Sequence, residues 1–587
     1  MLEGDKDSYE ELFYTLDKFE KISGLKINYD KSCNVWLGSK INSNTEYLPH
    51  LNMTWNPQQY KILGLWYTNN LERMAELNLT DKFNETKKLI NIWVKRTITP
   101  LGKVAVLKSL ILSKLIYLWI MLPNPPQEIV KKLQTMCYEF VWDRKVDKVK
   151  RNVATHNIEH GGLGIPKIDV YIKSLKITWL KKCCNPNYSS KWKTILLNEI
   201  PVDTINMYGP QILLNNYTAN PFWKDVFTSY LEFFNKVSID KTEEFLLEPM
   251  FCNDKFKINN KVMDFDAWTE AGIYLVKDIV QENGKFYSHA EFQSKSNITV
   301  PFLSYYGCVS TVKQYLKNIG LSLTNNNCGH TSQNKAYNIL TKAPKGAKVF
   351  YNTLIGETII PKPCKNWENI SGTEIDWLKI FATTKKIPDT KLKWIQMKIY
   401  YRILVTNSIL CAMKVVETNV CNFCNMEKDT ILHYLWDCVH VQDFWHEFVN
   451  RLKEKCTNCD RLELNSILVL FGNDGKTVTD QGFNHILLAA KFFIYKCRIN
   501  IVKPRLDIFL QELTNINKTD QYVFKMNMKQ EAFVKKMVGL STIFIAQLIM
   551  FCRSSLIVIS RLPSSNDVLL LNPISSIVSC HMYDQVV

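Results

Sequence analysis

Three cysteines and one histidine follow one another at short intervals in the last third of the chain. Cys421, Cys424, His433 and Cys438 form a C-x2-C-x8-H-x4-C array. Thiolate sulfur and imidazole nitrogen are donors that zinc prefers, and this order and spacing suit one tetrahedral ion held by protein alone. The array therefore predicts a structural zinc site that holds together a module around residues 390 to 450.

The segment between the two halves of the array has the pattern of a short helix. Asp429 and Thr430 are residue types that cap helices, and apolar residues follow them at helical spacing. This pattern leaves His433 on the side opposite the apolar residues, which favours its role as a ligand.

Two other groupings of possible ligands remain open. Cys456 and Cys459 form a second C-x2-C pair, which could join the first pair of the array in an all-cysteine site. That alternative leaves the histidine and the last cysteine of the array without a role. Cys328 and His330, in an Asn-rich turn, form a weaker alternative.

The composition is that of a folded protein with several domains. The 587 residues are 46% hydrophobic and 12% aromatic, which is enough for sizeable cores. The 17 cysteines are a small share of so long a chain, and we see no secretory signal pattern. We therefore expect reduced thiols and an intracellular location, in the cytoplasm or the nucleus, and no secretion.

Positive charge is concentrated in one part of the chain. The net charge is +17, and residues 86 to 182 alone hold 19 Lys or Arg against 6 Asp or Glu. A basic, apolar and helical segment of this kind favours a folded surface that faces a polyanion such as nucleic acid. The alternative is a charged face that only keeps the protein in solution.

The first seventy residues predict one helix and short strands. Ser8 and Glu11 have the spacing of a capping box, and Gly24 is placed to end the helix. Strand patterns follow at residues 25 to 28, 34 to 37 and 60 to 67, the last folding back at Gly64.

Three helices that pack as a small bundle are predicted next. They run over residues 81 to 93, from Thr99 with Pro100 in its first turn to residue 119, and from about 126 to 142.

Residues 110 to 122 are apolar, but they are too few to span a bilayer and include Lys114. A buried helix is the better interpretation, and a membrane is not expected as a partner. A membrane anchor is the alternative interpretation of the apolar tail at residues 538 to 560, in which Arg553 is the only charge, but Ser541, Thr542 and Gln547 interrupt its apolar runs.

Several of these segments, in this order, resemble non-LTR (LINE-type) retrotransposon reverse transcriptases. The matching segments are residues 23–32 (SGLKINYDKS, similar to motif D), 60–65 (YKILGL, similar to the motif E primer-grip hairpin), 99–104 (TPLGKV), 108–117 (KSLILSKLIY), 140–142 (FVW), 161–166 (GGLGIP) and 394–407 (WIQMKIYYRILVTN). The cysteine array resembles the C-terminal zinc knuckle of that family. The resemblance covers roughly residues 1 to 185 and 385 to 515.

The resemblance implies a fold class and a division into domains. The fold would be mainly α with small β elements: residual palm strands with the primer-grip hairpin, a helical thumb bundle, and a helical C-terminal domain with a zinc knuckle. The implied domains are 1–70 (residual palm), 71–185 (basic helical thumb), 186–385 (a poorly matching linker domain), 386–535 (zinc-knuckle domain) and 536–587 (an apolar tail outside the family pattern). Because half of a palm sheet would stand alone, we expect exposed apolar surface in the first forty residues.

The family is an RNA-directed DNA polymerase, but the sequence gives no catalytic residue for that reaction. Nucleotidyl transfer uses two Mg²⁺ ions held by carboxylates. In the family the two aspartates of a Tyr-x-Asp-Asp strand hold them, and neither that motif nor any Asp-Asp pair occurs here. We therefore expect no polymerase activity from this chain, and Mg²⁺ only in the intact family enzyme. Lys26 and Lys31, in the motif D segment, are expected to be solvated or paired with acids.

The resemblance implies that the thumb contacts the backbone of RNA, DNA or both without sequence preference, including the template RNA of such an element. The candidate phosphate contacts are Lys95, Arg96, Lys103, Lys108, Lys114, Lys131, Lys132, Lys148, Lys150 and Arg151.

Aromatic residues near the array allow two interpretations. Trp394, Tyr400, Tyr401 and Phe423 lie among basic residues and could stack on single-stranded bases. They could equally form the core of a helical domain, since Trp394 and Tyr401 are seven residues apart and share a helix face.

Three functional interpretations follow from the sequence. The first is a truncated reverse transcriptase that keeps nucleic-acid and zinc binding. The second is a translated relic without function, and the third is a helical, zinc-stabilised scaffold that binds proteins.

Overall fold

Helices make up most of the chain, as the sequence predicts, with small sheets beside them. The computed structural model describes residues 2–68, 71–216, 220–323, 333–344, 346–357, 359–387, 389–455, 463–472 and 481–526. Two compact units are present, Met1–Lys365 and Asn366–Val587. The domain boundaries that the resemblance implies stay predictions. The apolar tail and the two alternative ligand groupings lie outside the described residues.

The described part of the first unit contains seventeen α-helices and six strands. The helices are α1 (Lys6–Ser23), α2 (Leu71–Val94), α3 (Pro100–Val106), α4 (Ser113–Met121), α5 (Gln127–Val141), α6 (Arg151–Ala154), α7 (Ile168–Cys184), α8 (Lys191–Glu199), α9 (Val202–Met207), α10 (Gln211–Asn216), α11 (Pro221–Lys236), α12 (Thr242–Leu246), α13 (Asp266–Glu270), α14 (His289–Ser296), α15 (Phe302–Asn318), α16 (Lys335–Lys342) and α17 (Lys348–Ile355). The strands are β1 (Cys33–Asn34), β2 (Thr54–Trp55), β3 (Gln59–Ile62), β4 (Leu65–Thr68), β5 (Lys257–Ile258) and β6 (Lys261–Val262).

Helix α1 ends where the sequence predicts but is capped by a different residue. Gly24 has a φ of 71°, and its N–H donates to the carbonyl of Glu20. The predicted cap at Ser8 is wrong, because the helix begins at Lys6 and the Asp5 carboxylate accepts the Ser8 N–H at 2.7 Å. Asp5 directly precedes the first helical residue and satisfies one of the free N–H groups of the first turn, which is the kind of role that was expected of Ser8.

The strand predictions are correct for the hairpin and partly wrong before it. Strands β3 and β4 pair antiparallel with Tyr60 opposite Tyr67. Leu63 and Gly64 both have positive φ, at 48° and 85°, as a two-residue hairpin turn requires. Residues 25 to 28 form no strand, and β1 is a two-residue strand that pairs in parallel with β2.

Apolar side chains near the N-terminus face solvent, as expected for the first forty residues. Phe19, Ile22, Leu25 and Leu37 are each at least half exposed. Side chains on the opposite side of α1 are held mainly by aromatic contacts, such as the rings of Tyr9 and Trp55 at 5.4 Å. With little apolar burial and a two-residue sheet, this region has few contacts that would oppose local opening.

We predict that amides from Leu25 to Leu37 exchange with solvent much faster than those of α5. The physical reason is that β1 offers two residues of sheet, whereas α5 buries six side chains. Native-state hydrogen exchange followed by mass spectrometry measures both segments in one sample. Protection of residues 25 to 37 equal to that of α5 would contradict this account.

Helices α2 to α5 form the basic helical region. Helix α2 begins at Leu71, ten residues before its predicted start, and α3 begins as predicted, with Thr99 accepting the Gly102 N–H and Pro100 as its first residue. A π-helical segment, Leu107–Ile111, separates α3 from α4. Helix α5 buries Leu133 and Phe140 on one side and exposes Lys131 and Lys132 on the other.

No single helix of the described residues has the length and hydropathy to cross a membrane. Two consecutive helical segments, Pro100–Ile111 and Ser113–Met121, would together be long and apolar enough to cross a membrane by length and composition alone, but they are bent by 50° relative to each other. In the structure, α4 buries Leu115, Leu118 and Trp119. The apolar stretch predicted as a buried helix is therefore a partly buried one.

Two cores fill the rest of the first unit. Helix α7 packs against α11 and α17 around Tyr230, Phe233 and Phe350. A second core, between residues 239 and 312, surrounds Trp268 and Tyr305. Neither core brings together a set of residues that would suggest a reaction.

The second unit is helical in its described part, and the boundary between the units falls within α18. Its helices are α18 (Lys362–Ser371), α19 (Trp377–Lys385), α20 (Thr390–Tyr400), α21 (Asn407–Ala412), α22 (Val439–Lys455), α23 (Ser466–Phe471), α24 (Gln481–Ile499) and α25 (Leu506–Met526). A π-helical segment, His433–Asp437, precedes α22. Trp377, Tyr400 and Phe471 pack ring against ring in the core.

Candidate metal centre

The two halves of the cysteine array are positioned by a turn and by a π-helical segment. Cys421 and Cys424 lie in a turn in which the Cys421 N–H donates to the carbonyl of Glu427 at 2.8 Å. His433 is the first residue of the π-helical segment, and its N–H donates to the Thr430 hydroxyl at 3.0 Å, which confirms Thr430 as a cap. Cys438 directly precedes α22. Wide helical turns of this kind are frequent at functional sites.

The four side chains converge on one point. One ligand atom from each residue lies within 4.8 Å of all the others. Cys421 Sγ is 3.9 Å from Cys438 Sγ, and Cys424 Sγ is 3.5 Å from His433 Nε2. A tetrahedral ion with bonds of about 2.3 Å to sulfur and about 2.0 Å to nitrogen sets its ligands roughly 3.5 to 3.8 Å apart. The cluster can therefore hold one metal ion, and its donor set is compatible with zinc.

The thiol groups of the cluster already differ in acidity. The hydrogen bond from Cys438 to Cys421 lowers the pKa of Cys421 to about 5. The same hydrogen bond, together with burial, raises the pKa of Cys438 well above its usual range. A metal ion binds cysteine as the thiolate, so an ion at the cluster would displace thiol protons.

The two ring nitrogens of His433 have different surroundings: Nε2 faces Cys424 in the cluster, and Nδ1 faces Glu427. Nδ1 is buried without a hydrogen bond, although a carboxylate oxygen of Glu427 lies 3.0 Å away at an unsuitable angle. Metal-bound histidines usually place a carboxylate at the far nitrogen, where it fixes the tautomer. The ring is thus oriented with Nε2 as the ligand atom.

The arrangement leaves no place for a reaction. Three sulfurs and one nitrogen complete a tetrahedral shell, so no coordination position remains for water or substrate. Cys421, His433 and Cys438 are buried and Cys424 is half-buried. These features are those of a site that stabilises a fold.

Most of the side chains predicted to contact phosphate are exposed, but the prediction for Lys103 is wrong because Lys103 is buried. Lys103 is 1% exposed and its ammonium is paired with Asp143, so it faces the protein interior and cannot reach a phosphate. Lys108 is exposed, but burial of its ammonium group lowers its pKa, and that group lies near Gly164. The other candidates have exposed side chains: Lys95, Arg96, Lys114, Lys131, Lys132, Lys148, Lys150 and Arg151.

A group of basic side chains around Asn91 goes beyond the predicted set. Lys87 and Lys88 lie on α2 four and three residues before Asn91, so both neighbour it on the helix surface, and Lys95 directly follows Val94, the last residue of α2. Arg144, from the turn after α5, donates from Nη2 to Asn91 Oδ1 at 3.0 Å. We call Lys87, Lys88, Asn91, Lys95 and Arg144 the Asn91 patch; all five are exposed.

One part of this patch is visible in the sequence and the other is not. Lys88 and Lys95 are seven residues apart, and helical spacing puts both on the side opposite the buried Thr86 and Ile90. The sequence pattern alone could therefore have grouped these two lysines. Arg144 reaches the patch through the fold, since 53 residues separate it from Asn91.

The aromatic residues near the array are core residues. Trp394, Tyr400, Tyr401 and Phe423 are all at most 7% exposed. Stacking on nucleic-acid bases needs an accessible ring face. The interpretation of these four residues as base-stacking groups is therefore wrong, and they stabilise the helical domain instead.

Comparison with known protein families adds no assignment, because no family model matches the sequence.

Replacing Cys424 by Ser should unfold the region around residues 390 to 450 when the chain is supplied with Zn²⁺. Three ligands hold a metal ion much more weakly than four, and a structural ion can contribute on the order of 10 kcal/mol to folding. Limited proteolysis with mass spectrometry detects new cleavage in this region.

Cys411→Ser is the matched control. Cys411 is on α21, outside the cluster, and makes one weak contact with the carbonyl of Glu417 at 3.7 Å. Cys411→Ser should keep the cleavage pattern of the wild type. Equal protease resistance of Cys424→Ser and the wild type would count against the metal site.

Proposed function

We propose that this chain is the nucleic-acid-binding, zinc-stabilised part of a LINE-type reverse transcriptase that follows the catalytic aspartates. Three observations support the proposal: the order of the family-like motifs, the convergent Cys421 to Cys438 cluster, and the Asn91 patch. The proposal commits to RNA or DNA backbone as the partner, including the template RNA of such an element.

The Asn91 patch carries the proposal. From residue 86 to residue 96 the chain contains four basic residues and no acidic one. Arg144 brings a further guanidinium to the same helix face, through its bond to Asn91. Clustered, exposed cations of this kind attract phosphate groups at fixed spacing, and they give affinity without reading the bases.

Zinc is the proposed occupant of the cluster. Soft thiolate ligands with one imidazole in tetrahedral geometry favour zinc over oxygen-seeking ions such as Mg²⁺. When bound, zinc supplies a cross-link and no chemistry. The residues of this chain do the rest: Glu427 lies beside the far nitrogen of His433, and the hydrogen bond from Cys438 lowers the pKa of Cys421.

We assign no polymerase step to this chain. The sequence contains no Tyr-x-Asp-Asp motif and no pair of adjacent aspartates that could hold two Mg²⁺ ions. Its proposed contribution is to hold the nucleic acid on which such chemistry acts. A primer-extension assay with added Mg²⁺ that gave product would contradict this assignment.

Substituting Lys87, Lys88 and Lys95 by Gln should weaken binding to single-stranded RNA and flatten its salt dependence. Each lost phosphate contact removes about 0.7 from the slope of log K against log salt, so three should reduce it by roughly 2. Fluorescence anisotropy with a labelled RNA of mixed sequence, over a series of salt concentrations, measures both quantities.

The control variant removes the same number of positive charges from another part of the first unit. Lys261, Lys285 and Lys317 are exposed and lie outside the Asn91 patch. Their triple substitution by Gln should leave the slope near that of the wild type. Equal slopes for the two triple variants would show that net charge, not the patch, sets the binding. Absent or salt-insensitive binding by the wild type would contradict the proposed function and favour a protein-binding scaffold or a relic.

A further inference from the structure

An ion pair in the second unit connects the cysteine array to a helix far along the chain. Asp429, four residues before His433, is 0% exposed, and its partner Arg498 on α24 is 5% exposed. Arg498 Nε is 2.9 Å from Asp429 Oδ2 and 3.3 Å from Oδ1, and Nη2 also donates to Oδ2. The guanidinium therefore contacts both carboxylate oxygens in a fixed orientation.

The same arginine contacts the segments beside the other ligands. Its guanidinium lies over the ring of Tyr434, the residue after His433, at 5.3 Å. Its backbone carbonyl accepts the side-chain amide of Asn422 at 3.3 Å, and Asn422 lies between Cys421 and Cys424. Arg498 thus touches a neighbour of the first pair of ligands and two neighbours of the histidine.

Asn407, at the start of α21, closes the network. Its side-chain oxygen accepts from Arg498 Nη2 at 2.9 Å, and its N–H donates to Asp429 Oδ2 at 2.6 Å. Its side-chain amide donates to the carbonyl of Val420 at 2.7 Å and to Asn422 Oδ1 at 2.6 Å. The turn that carries Cys421 and Cys424 is therefore tied to the segment that carries His433 without any contact through the ligands themselves.

A buried ion pair by itself is weak support for any role, because apolar residues of similar size often stabilise a fold as well. The arrangement of the contacts is more specific. Each hydrogen-bond partner of the Arg498 guanidinium, Asp429 or Asn407, belongs to or bonds to a segment that carries a candidate metal ligand. Fixing both segments before the ion arrives removes ordering cost from metal binding.

We infer that Arg498 is a positioning residue for the metal centre: it holds the two halves of the Cys421 to Cys438 cluster at the spacing that one ion requires. This inference rests on the proposed metal site and is independent of the proposed nucleic-acid binding. It makes the affinity for metal depend on α24, which begins more than forty residues after the last ligand.

The experiment measures metal affinity in the full chain. Co²⁺ is titrated while the absorption of tetrahedral cobalt is recorded, and Zn²⁺ affinity is obtained by competition with a chromophoric chelator. We expect Arg498→Met to bind Zn²⁺ at least about tenfold more weakly than the wild type, since loss of a supporting contact typically costs 10- to 100-fold. Arg498→Lys, which keeps the charge but lacks the planar fork, should recover part of that loss.

A second variant separates positioning from general destabilisation. Arg498→Met leaves a buried carboxylate without its partner, which can unfold the unit. The double variant Asp429→Asn/Arg498→Met removes that charge, so its affinity decides the question if the single variant loses helical circular dichroism. We expect the double variant to stay helical and still bind Zn²⁺ at least about tenfold more weakly.

The controls distinguish the possible failures. Arg505→Met removes an exposed arginine paired with Asp507 and should bind metal like the wild type. Wild-type Zn²⁺ affinity in a helical double variant would overturn the role of Arg498 while leaving the metal site intact. A wild-type chain that binds neither Co²⁺ nor Zn²⁺ would overturn the metal site itself.

Discussion

The convergence of Cys421, Cys424, His433 and Cys438 on one point is the constraint around which this part of the second unit is arranged. Between Val420 and Lys428 the backbone makes one isolated bridge, and Phe423 is the buried aromatic side chain of this turn. Cys438 connects the turn to α22, and the segment before α22 is anchored by Leu435, whose carbonyl accepts the ring N–H of Trp445 at 2.9 Å. An ion bound at the cluster would therefore add a cross-link between this turn and the segment that leads into α22.

Buried ionisable side chains of the second unit have specific hydrogen-bond partners, and those partners determine what each side chain contributes. Lys491 is 2% exposed, and burial lowers its pKa to about 7. Its amine donates to Gln396 Oε1 at 2.5 Å and to the carbonyl of Leu470 at 2.9 Å, which ties α20, α23 and α24 together. Burying Lys491 and the Asp429–Arg498 pair costs solvation free energy. A gain in stability is therefore not a sufficient reason for either to be buried. Their polar contacts instead fix the relative positions of helices that apolar packing would allow to slide.

The sequence predicts features that depend on local chemistry and misses those that depend on distant partners. The cysteine spacing, the start of α3 at Pro100 and the hairpin turn at Gly64 all follow from short-range rules, and the structure shows each of them. The role of Asp429 does not follow, because its partner is 69 residues away and its residue type also suits a helix cap. The burial of a lysine side chain also cannot be predicted from the pattern of charges along the chain. Lys103 has the same sequence surroundings as exposed lysines, yet the fold turns it inward to Asp143.

Local pairing divides the basic residues of the first unit into two electrostatic classes. Lys114 and Lys82 flank Glu85, and their ammonium groups lower the pKa of that carboxyl to about 2. Such exposed pairs contribute little to stability, and their partner acid already offsets part of their field. The Asn91 patch has no acid within its own stretch of α2, so its field is the less compensated one. Because its residues belong to the first unit and the Cys421 to Cys438 cluster to the second, the proposed backbone binding and the proposed metal binding can be tested separately.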